Sequence, residues 1–165
     1  MALLRPARIY RRVTEITADD LRAMGVRGLI LDADNTLATH HSQTPAEGVT
    51  DWLDGMRRAG IELRMVSNAR DPRCRPFAKT LGLRYTALAC KPLPFGFLRA
   101  VRAMGLKRRE VAAVGDQLFT DMMCAHLAGV TALLVEPIEP ETGWSFRLRR
   151  RLERPLLRRW KENAR

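Results

Sequence analysis

Short apolar runs of strand length alternate with longer stretches of helical period along most of the chain. This alternation marks β-α-β units feeding a parallel sheet, because a strand covered on both faces reads as a continuous apolar run and each covering helix shows one apolar face. Gly28-Leu29-Ile30-Leu31 is the first buried run, and the short helix before it is opened by Thr17 with Asp20 as a capping box and closed by Gly25. The pattern then predicts a helix opening at Thr44-Pro45 and running to Gly60, and a strand from Ile61 to Val66. A helix from Asp71-Pro72 to Gly82 and a weaker strand from Arg84 to Leu88 follow. Pro94 to Gly105 is expected as helix, Val111 to Val114 as strand, Leu118 to Ala128 as a helix closed by Gly129, and Val130 to Val135 as the last strand. Pro137 and Pro140 interrupt regular structure after it. The expected class is α/β, with a central parallel sheet of about five strands and helices on both faces.

With 165 residues there is room for one core of ordinary size. No apolar run approaches the roughly 18 residues of a spanning helix. Arg5 and Arg8 interrupt the apolar start, unlike the uninterrupted core of a secretory signal, so the expected location is the cytoplasm. Cys74, Cys90 and Cys124 have no CxxC spacing and no histidine at ligand distance, which points to reduced thiols rather than zinc or disulfides.

Locating the net charge of +11 changes the picture. Residues 1–12 carry Arg5, Arg8, Arg11 and Arg12 with no acid, and the chain from Gly143 onward carries nine basic residues against Glu153 and Glu162, so the stretch between is neutral. The division expected is a basic N-terminal segment with a short helix (1–27), a catalytic core (28–136) and a basic amphipathic tail (137–165). In the tail, Trp144, Leu148, Leu152, Leu156 and Trp160 recur at i, i+4 with arginines between them, as in a helix lying on anionic lipid, and Pro155 is expected to interrupt it. Nucleic acid is a weaker candidate partner, because few aromatics interleave the charges. The bland alternatives are solubility alone, or packing of the tail's apolar residues on the domain.

The candidate chemistry lies at strand ends. Asp32 and Asp34 follow the first strand, Ser67 the second and Lys91 the third, while Asp116 follows the fourth and Asp121 the start of the next helix. Ligands of open α/β sheets bind at that edge. A carboxylate can attack phosphorus and split a hard hydrolysis into two easier steps. Crowded carboxylates repel a phosphate dianion unless a hard cation such as Mg²⁺ bridges them, and lysine, serine and helix-start amides can hold its oxygens.

These residues fall in four motifs: Asp32-Ala33-Asp34-Asn35-Thr36, then Val66-Ser67-Asn68, then Lys91-Pro92, and Gly115-Asp116-Gln117-Leu118-Phe119-Thr120-Asp121. In this order they resemble the haloacid dehalogenase (HAD) superfamily. The resemblance implies a Rossmann-like HAD fold and a phosphatase that forms an aspartyl-phosphate. It makes Asp32 the nucleophile and Asp34 the general acid and base. Ser67, Asn68 and Lys91 would bind phosphate, Mg²⁺ would be held by Asp32, Asp116 and the backbone carbonyl of Asp34, and Asp121 would support the metal. The acid at Asp34 separates phosphatases from related pumps, which carry threonine there. Neither the gap from Thr36 to Ser67 nor that from Ser67 to Lys91 has room for a cap domain, so the site is expected to be open.

The whole chain further resembles the YqeG-like branch of subfamily IIIA, from Leu3-Leu4-Arg5-Pro6 to Val135-Glu136-Pro137-Ile138, with departures at Ala33 and Ala69. That branch is related to phosphatidylglycerophosphate phosphatases, which implies a lipid phosphate substrate at a membrane surface. A soluble phosphate ester or nucleotide is the alternative. A different class is a non-catalytic regulator that binds RNA or protein through its basic tails. His40 and His41 follow the nucleophile motif and could touch a leaving group, although loop histidines are commonly plain surface residues. Cys124 and His126 are expected to pack. The oligomeric state is left open.

Overall fold

The computed structural model describes residues 2–140 together with 151, 153, 155–157 and 160. Six strands form one parallel sheet: β1 (Arg8–Tyr10), β2 (Gly28–Leu31), β3 (Glu62–Val66), β4 (Arg84–Thr86), β5 (Val111–Gly115) and β6 (Thr131–Val135), in the spatial order β1-β6-β5-β2-β3-β4. Within residues 2–140 the α-helices are α1 (Ala18–Ala23), α2 (Val49–Arg58), α3 (Asp71–Thr80), α4 (Phe95–Met104) and α5 (Met123–Ala128). Strand β2 is paired with β3 on one side and β5 on the other, so the chain reverses its direction of travel across the sheet there. Such a switch point opens a crevice beyond the carboxyl ends of the two strands.

Side-chain alternation explains the two layers of core. Leu29 and Leu31 of β2, Ala112 and Val114 of β5, and Leu133 and Val135 of β6 face Leu21, Leu53, Met56 and Phe77 on one side of the sheet. Their neighbours Ile30, Ala113 and Leu134 face Phe97, Val101, Cys124 and Ala128 on the other. With both faces covered, β2 is buried along its whole length.

Three expectations are corrected. The sheet has a sixth strand, β1, drawn from the basic N-terminal segment and held on β6 with Arg8 opposite Leu133. Three residues of mixed exposure carry too little alternation to read as a strand. Helix α2 starts at Val49 rather than at Thr44-Pro45, because Gly48 at its N-cap has a left-handed φ of 76° and the Ala46 N–H donates instead to the Leu37 carbonyl (2.8 Å). In the tail, the described residues Arg151, Glu153, Pro155, Leu156, Leu157 and Trp160 are all helical, so the expected interruption is not seen at Pro155 itself. Leu156, Leu157 and Trp160 pack on the core beside α4 and α5, so this part of the apolar stripe meets the domain. Trp144, Leu148 and Leu152 lie outside the described residues. Other expectations hold: Thr17 and Asp20 form a reciprocal capping box on α1, and the three cysteines are unbridged. Among the described residues, no helix is long and apolar enough to cross a membrane.

Candidate active site

The backbone of Asp32 prolongs β2, its N–H donating to the Val114 carbonyl of β5 (2.9 Å). This delivers its side chain into the crevice. From the other side of the switch point, β5 ends in Gly115 and hands over to Asp116, and the turn Leu118–Met122 is wound as a π-helix that brings Asp121 back under it. Carboxylate oxygens of Asp32, Asp116 and Asp121 lie within 4.8 Å of one another, and all three residues are buried.

Lys91 enters from the loop after β4. Its ammonium donates to Asp32 Oδ1 (2.5 Å) and to Asp121 Oδ1 (2.6 Å), with its side chain only 4% exposed. Asn68 holds that loop by both ends of its amide: Oδ1 accepts from the Lys91 N–H (2.7 Å) and Nδ2 donates to the Lys91 carbonyl (3.1 Å). Its amide therefore positions Lys91, besides lining the cleft. Ser67 is buried behind it, and its Oγ accepts from the Ala69 N–H (3.1 Å). Asp32, Asp34, His40, Ser67, Asn68 and Lys91 are among the residues around an open cleft of about 230 Å³.

Asp34 belongs to the cleft but not to the carboxylate cluster. Its Oδ1 accepts from an Arg73 guanidinium N–H and from the His41 backbone N–H (3.3 Å), and His40 Nδ1 is 3.6 Å away. Both loop histidines thus stand beside it. Cys124 and His126 lie elsewhere: the Cys124 thiol donates to the Leu93 carbonyl (3.3 Å), and the His126 ring meets the Arg5 carbonyl (2.7 Å).

Burial dominates the electrostatics. It pushes the Asp32 carboxyl up to about 7, aided by the charges of Asp121 and Asp34, and the Lys91 ammonium only partly offsets this. Burial alone would lower Lys91, but Asp121 and Asp32 outweigh it and hold the ammonium above its ordinary range. Three buried carboxylates against one ammonium leave excess negative charge in a low-dielectric site, and an all-oxygen donor set of this kind fits a hard divalent cation.

Two structural partners gave no readable signal in the sequence. Glu153 of the tail is buried at 1% exposure and accepts from the Leu118 N–H (2.9 Å), pinning the start of the Asp121-bearing turn. Arg73 is one of many arginines, and nothing in its spacing singles it out. Gly115 makes room for the cluster, since a Cβ there would meet Asp121 Cγ at 2.4 Å, while Asp121 is fixed by Lys91 and by the Gln117 N–H (3.1 Å). Gly115→Ala is expected to displace that carboxylate and lower turnover by about 10- to 100-fold in a folded protein. Phosphate release and a Mg²⁺ titration, with circular dichroism as the folding control, check this.

Comparison with known proteins agrees with this geometry. Residues 9–129 match the model of the haloacid dehalogenase-like hydrolase family. The chain is 33% identical over 152 residues to "Probable phosphatase YqeG" of Bacillus subtilis (strain 168), covering 92% of this chain and 88% of that protein. It is 27% identical over 151 residues to phosphatidylglycerophosphate phosphatase 1, chloroplastic/mitochondrial, of Arabidopsis thaliana, covering 85% of this chain but only 43% of the plant protein. The fold is shared with a HAD family hydrolase from Deinococcus radiodurans R1, at a TM-score of 0.62 and 14% identity over 76% of this chain and 88% of that one. With the family model covering most of its length and acids and lysine gathered at the switch point, the chain belongs to the haloacid dehalogenase-like hydrolases, as a phosphatase-type enzyme.

Proposed function

We propose that this enzyme is a Mg²⁺-dependent phosphomonoester hydrolase working through an aspartyl-phosphate on Asp32, and that its substrate is phosphatidylglycerophosphate presented at a membrane surface. The observation that carries the chemistry is the contact of Lys91 Nζ with both Asp32 and Asp121 inside the three-carboxylate cluster. An Asp32 oxygen forms a bond to phosphorus as the ester P–O bond breaks. Asp34 gives a proton to the departing alcohol and then takes one from the water that hydrolyses the acyl phosphate. Lys91 and Ser67 hold the phosphoryl oxygens. Asp32, Asp116 and the Asp34 carbonyl are the candidate ligands of Mg²⁺, with Asp121 in support, and the ion supplies the positive charge that lets a dianion approach these carboxylates.

The lipid assignment is supported by the name of the Arabidopsis relative and by the surface of the Lys91 loop and of α4, which follows it. Leu88, Leu93 and Phe95, on both sides of Lys91, are 58%, 51% and 64% exposed. Arg99, Arg102, Lys107 and Arg108 line a groove with Phe95. Apolar side chains beside a cationic groove suit an anionic bilayer.

The test is phosphate release from phosphatidylglycerophosphate in mixed micelles against a panel of soluble esters. The lipid is expected to be turned over at higher kcat/KM, and more so on anionic than on zwitterionic micelles. If soluble esters are turned over far better, the lipid assignment is wrong.

A further inference from the structure

Among the described residues beside the cleft is a cation that the proposed mechanism does not use. Arg73, in the first turn of α3, pairs with Asp34 at the edge of the cleft, and a second N–H of its guanidinium donates to His41 Nδ1. The Gln43 side chain donates to the Arg73 carbonyl (3.2 Å), which fixes the same turn of α3 to the loop after the nucleophile motif. The pair is half-sheltered, with side-chain exposures of 26% for Arg73 and 21% for Asp34.

Arg73 lines a smaller hollow that shares Asp34, Ser67 and Ala69 with the main cleft. Asp34, with Ser67 and Ala69, thus stands between the two. In the proposed reaction its carboxyl faces the ester oxygen, so the rest of the leaving alcohol extends towards the arginine. Among the described residues, the partners of this carboxyl converge on Oδ1, and Arg73 is the full cation among them.

We propose that Arg73 is the anchor of a leaving-group subsite: the favoured substrate is a phosphomonoester whose alcohol carries a second negative charge, and that anion draws Arg73 off Asp34. This rests on the phosphatase reading and narrows its substrate class. A guanidinium binds a phosphate or carboxylate through paired N–H bonds, so an anionic leaving group offers it a partner as good as Asp34. It also releases the carboxyl that must reach the departing oxygen. An ester with a neutral alcohol offers no such exchange and meets a carboxyl still held by the arginine. The shared chemistry fits the phosphodiester of a phospholipid headgroup and the carboxylate of a small phosphorylated acid alike.

The experiment compares kcat/KM on glycerol 3-phosphate, whose leaving alcohol is neutral, with that on 3-phosphoglycerate, and on phosphatidylglycerophosphate in mixed micelles, for the wild type, Arg73→Gln and Arg73→Lys. The wild type is expected to prefer the anionic leaving groups. Arg73→Gln is expected to lower that preference by about 10- to 100-fold, mainly through KM, and Arg73→Lys to restore part of it. A stronger effect on the micellar lipid than on 3-phosphoglycerate identifies the lipid headgroup as the source of the anion, and the reverse identifies a soluble acid. A wild type without the preference, or an Arg73→Gln enzyme that loses activity equally on all three esters or keeps the ratio, overturns the proposal while leaving the phosphatase reading intact. No turnover of any ester by the wild type with Mg²⁺ sinks that reading and this inference together.

Discussion

Asp32→Asn is expected to lower phosphate release by about 10⁴-fold or more, since the amide cannot accept phosphorus and no second carboxylate can take its place in line. Asp116 and Asp121 are buried beside it, but Asp121 is engaged by Lys91 and by the Gln117 N–H. Acid-stable radiolabel or mass spectrometry after a brief quench should find phosphate on Asp32 in the wild type and none in the variant. Equal phosphate release by the two proteins would falsify the mechanism. The same substitution has an opposite effect on stability. The Asp32 carboxyl is raised to about 7 in the folded protein, burial being the main cause, against about 3.8 in the unfolded chain. Between those values the native state binds the extra proton, so the metal-free wild type should lose stability as pH rises from about 4 through about 7. Asparagine removes that slope. Metal-free Asp32→Asn should therefore melt higher than the wild type at pH 8, with the gap closing towards pH 4, and Mg²⁺ should stabilise the wild type increasingly as pH rises. Thermal melts across that range, with and without Mg²⁺, provide the check.

Lys91→Met should damage both stability and activity. The ammonium is the shared partner of Asp32 and Asp121, at 2.5 and 2.6 Å, and all three groups are nearly excluded from water. Removing one partner of a buried ion pair costs about 3–5 kcal/mol, because the charge left behind has neither water nor partner. The loss should be largest in metal-free protein at neutral to alkaline pH. It should shrink in Mg²⁺, which replaces the missing positive charge, and at acidic pH, where the carboxylates take up protons. Activity should fall by about 10²- to 10³-fold even where the fold is rescued, the scale of a lost oxyanion partner. Melting in a matrix of pH and Mg²⁺, alongside phosphate release, separates the two effects. An unchanged melting temperature in EDTA at pH 8 would show that Lys91 does not balance the cluster.

The candidate site is legible in the sequence because its residues hang on the ends of strands. Asp32 and Asp116 each follow a fully buried apolar strand, and Ser67 follows the buried Met65-Val66 end of β3, so finding the strand locates the residue. Lys91 is legible through its motif alone, since β4 is short and a loop intervenes. Asn68 reads as a phosphate ligand in its motif, and in the fold it lines the cleft while its amide also clamps the Lys91 backbone. Asp121, expected only to support a metal, has its carboxylate inside the cluster, because a π-helical turn rather than a regular helix follows Gln117.

Local periodicity and motifs a few residues long were enough for the α/β class, the order of the elements, the open character of the site and the residues at its centre. Contacts between distant segments were beyond their reach: β1 on the sheet's edge, Arg73 on Asp34 across 39 residues, and Glu153 under Leu118 across 35. An arginine or glutamate carries the same letter whether it faces water or closes a buried pair. Only the packed chain, by removing water from one and not the other, assigns it a partner.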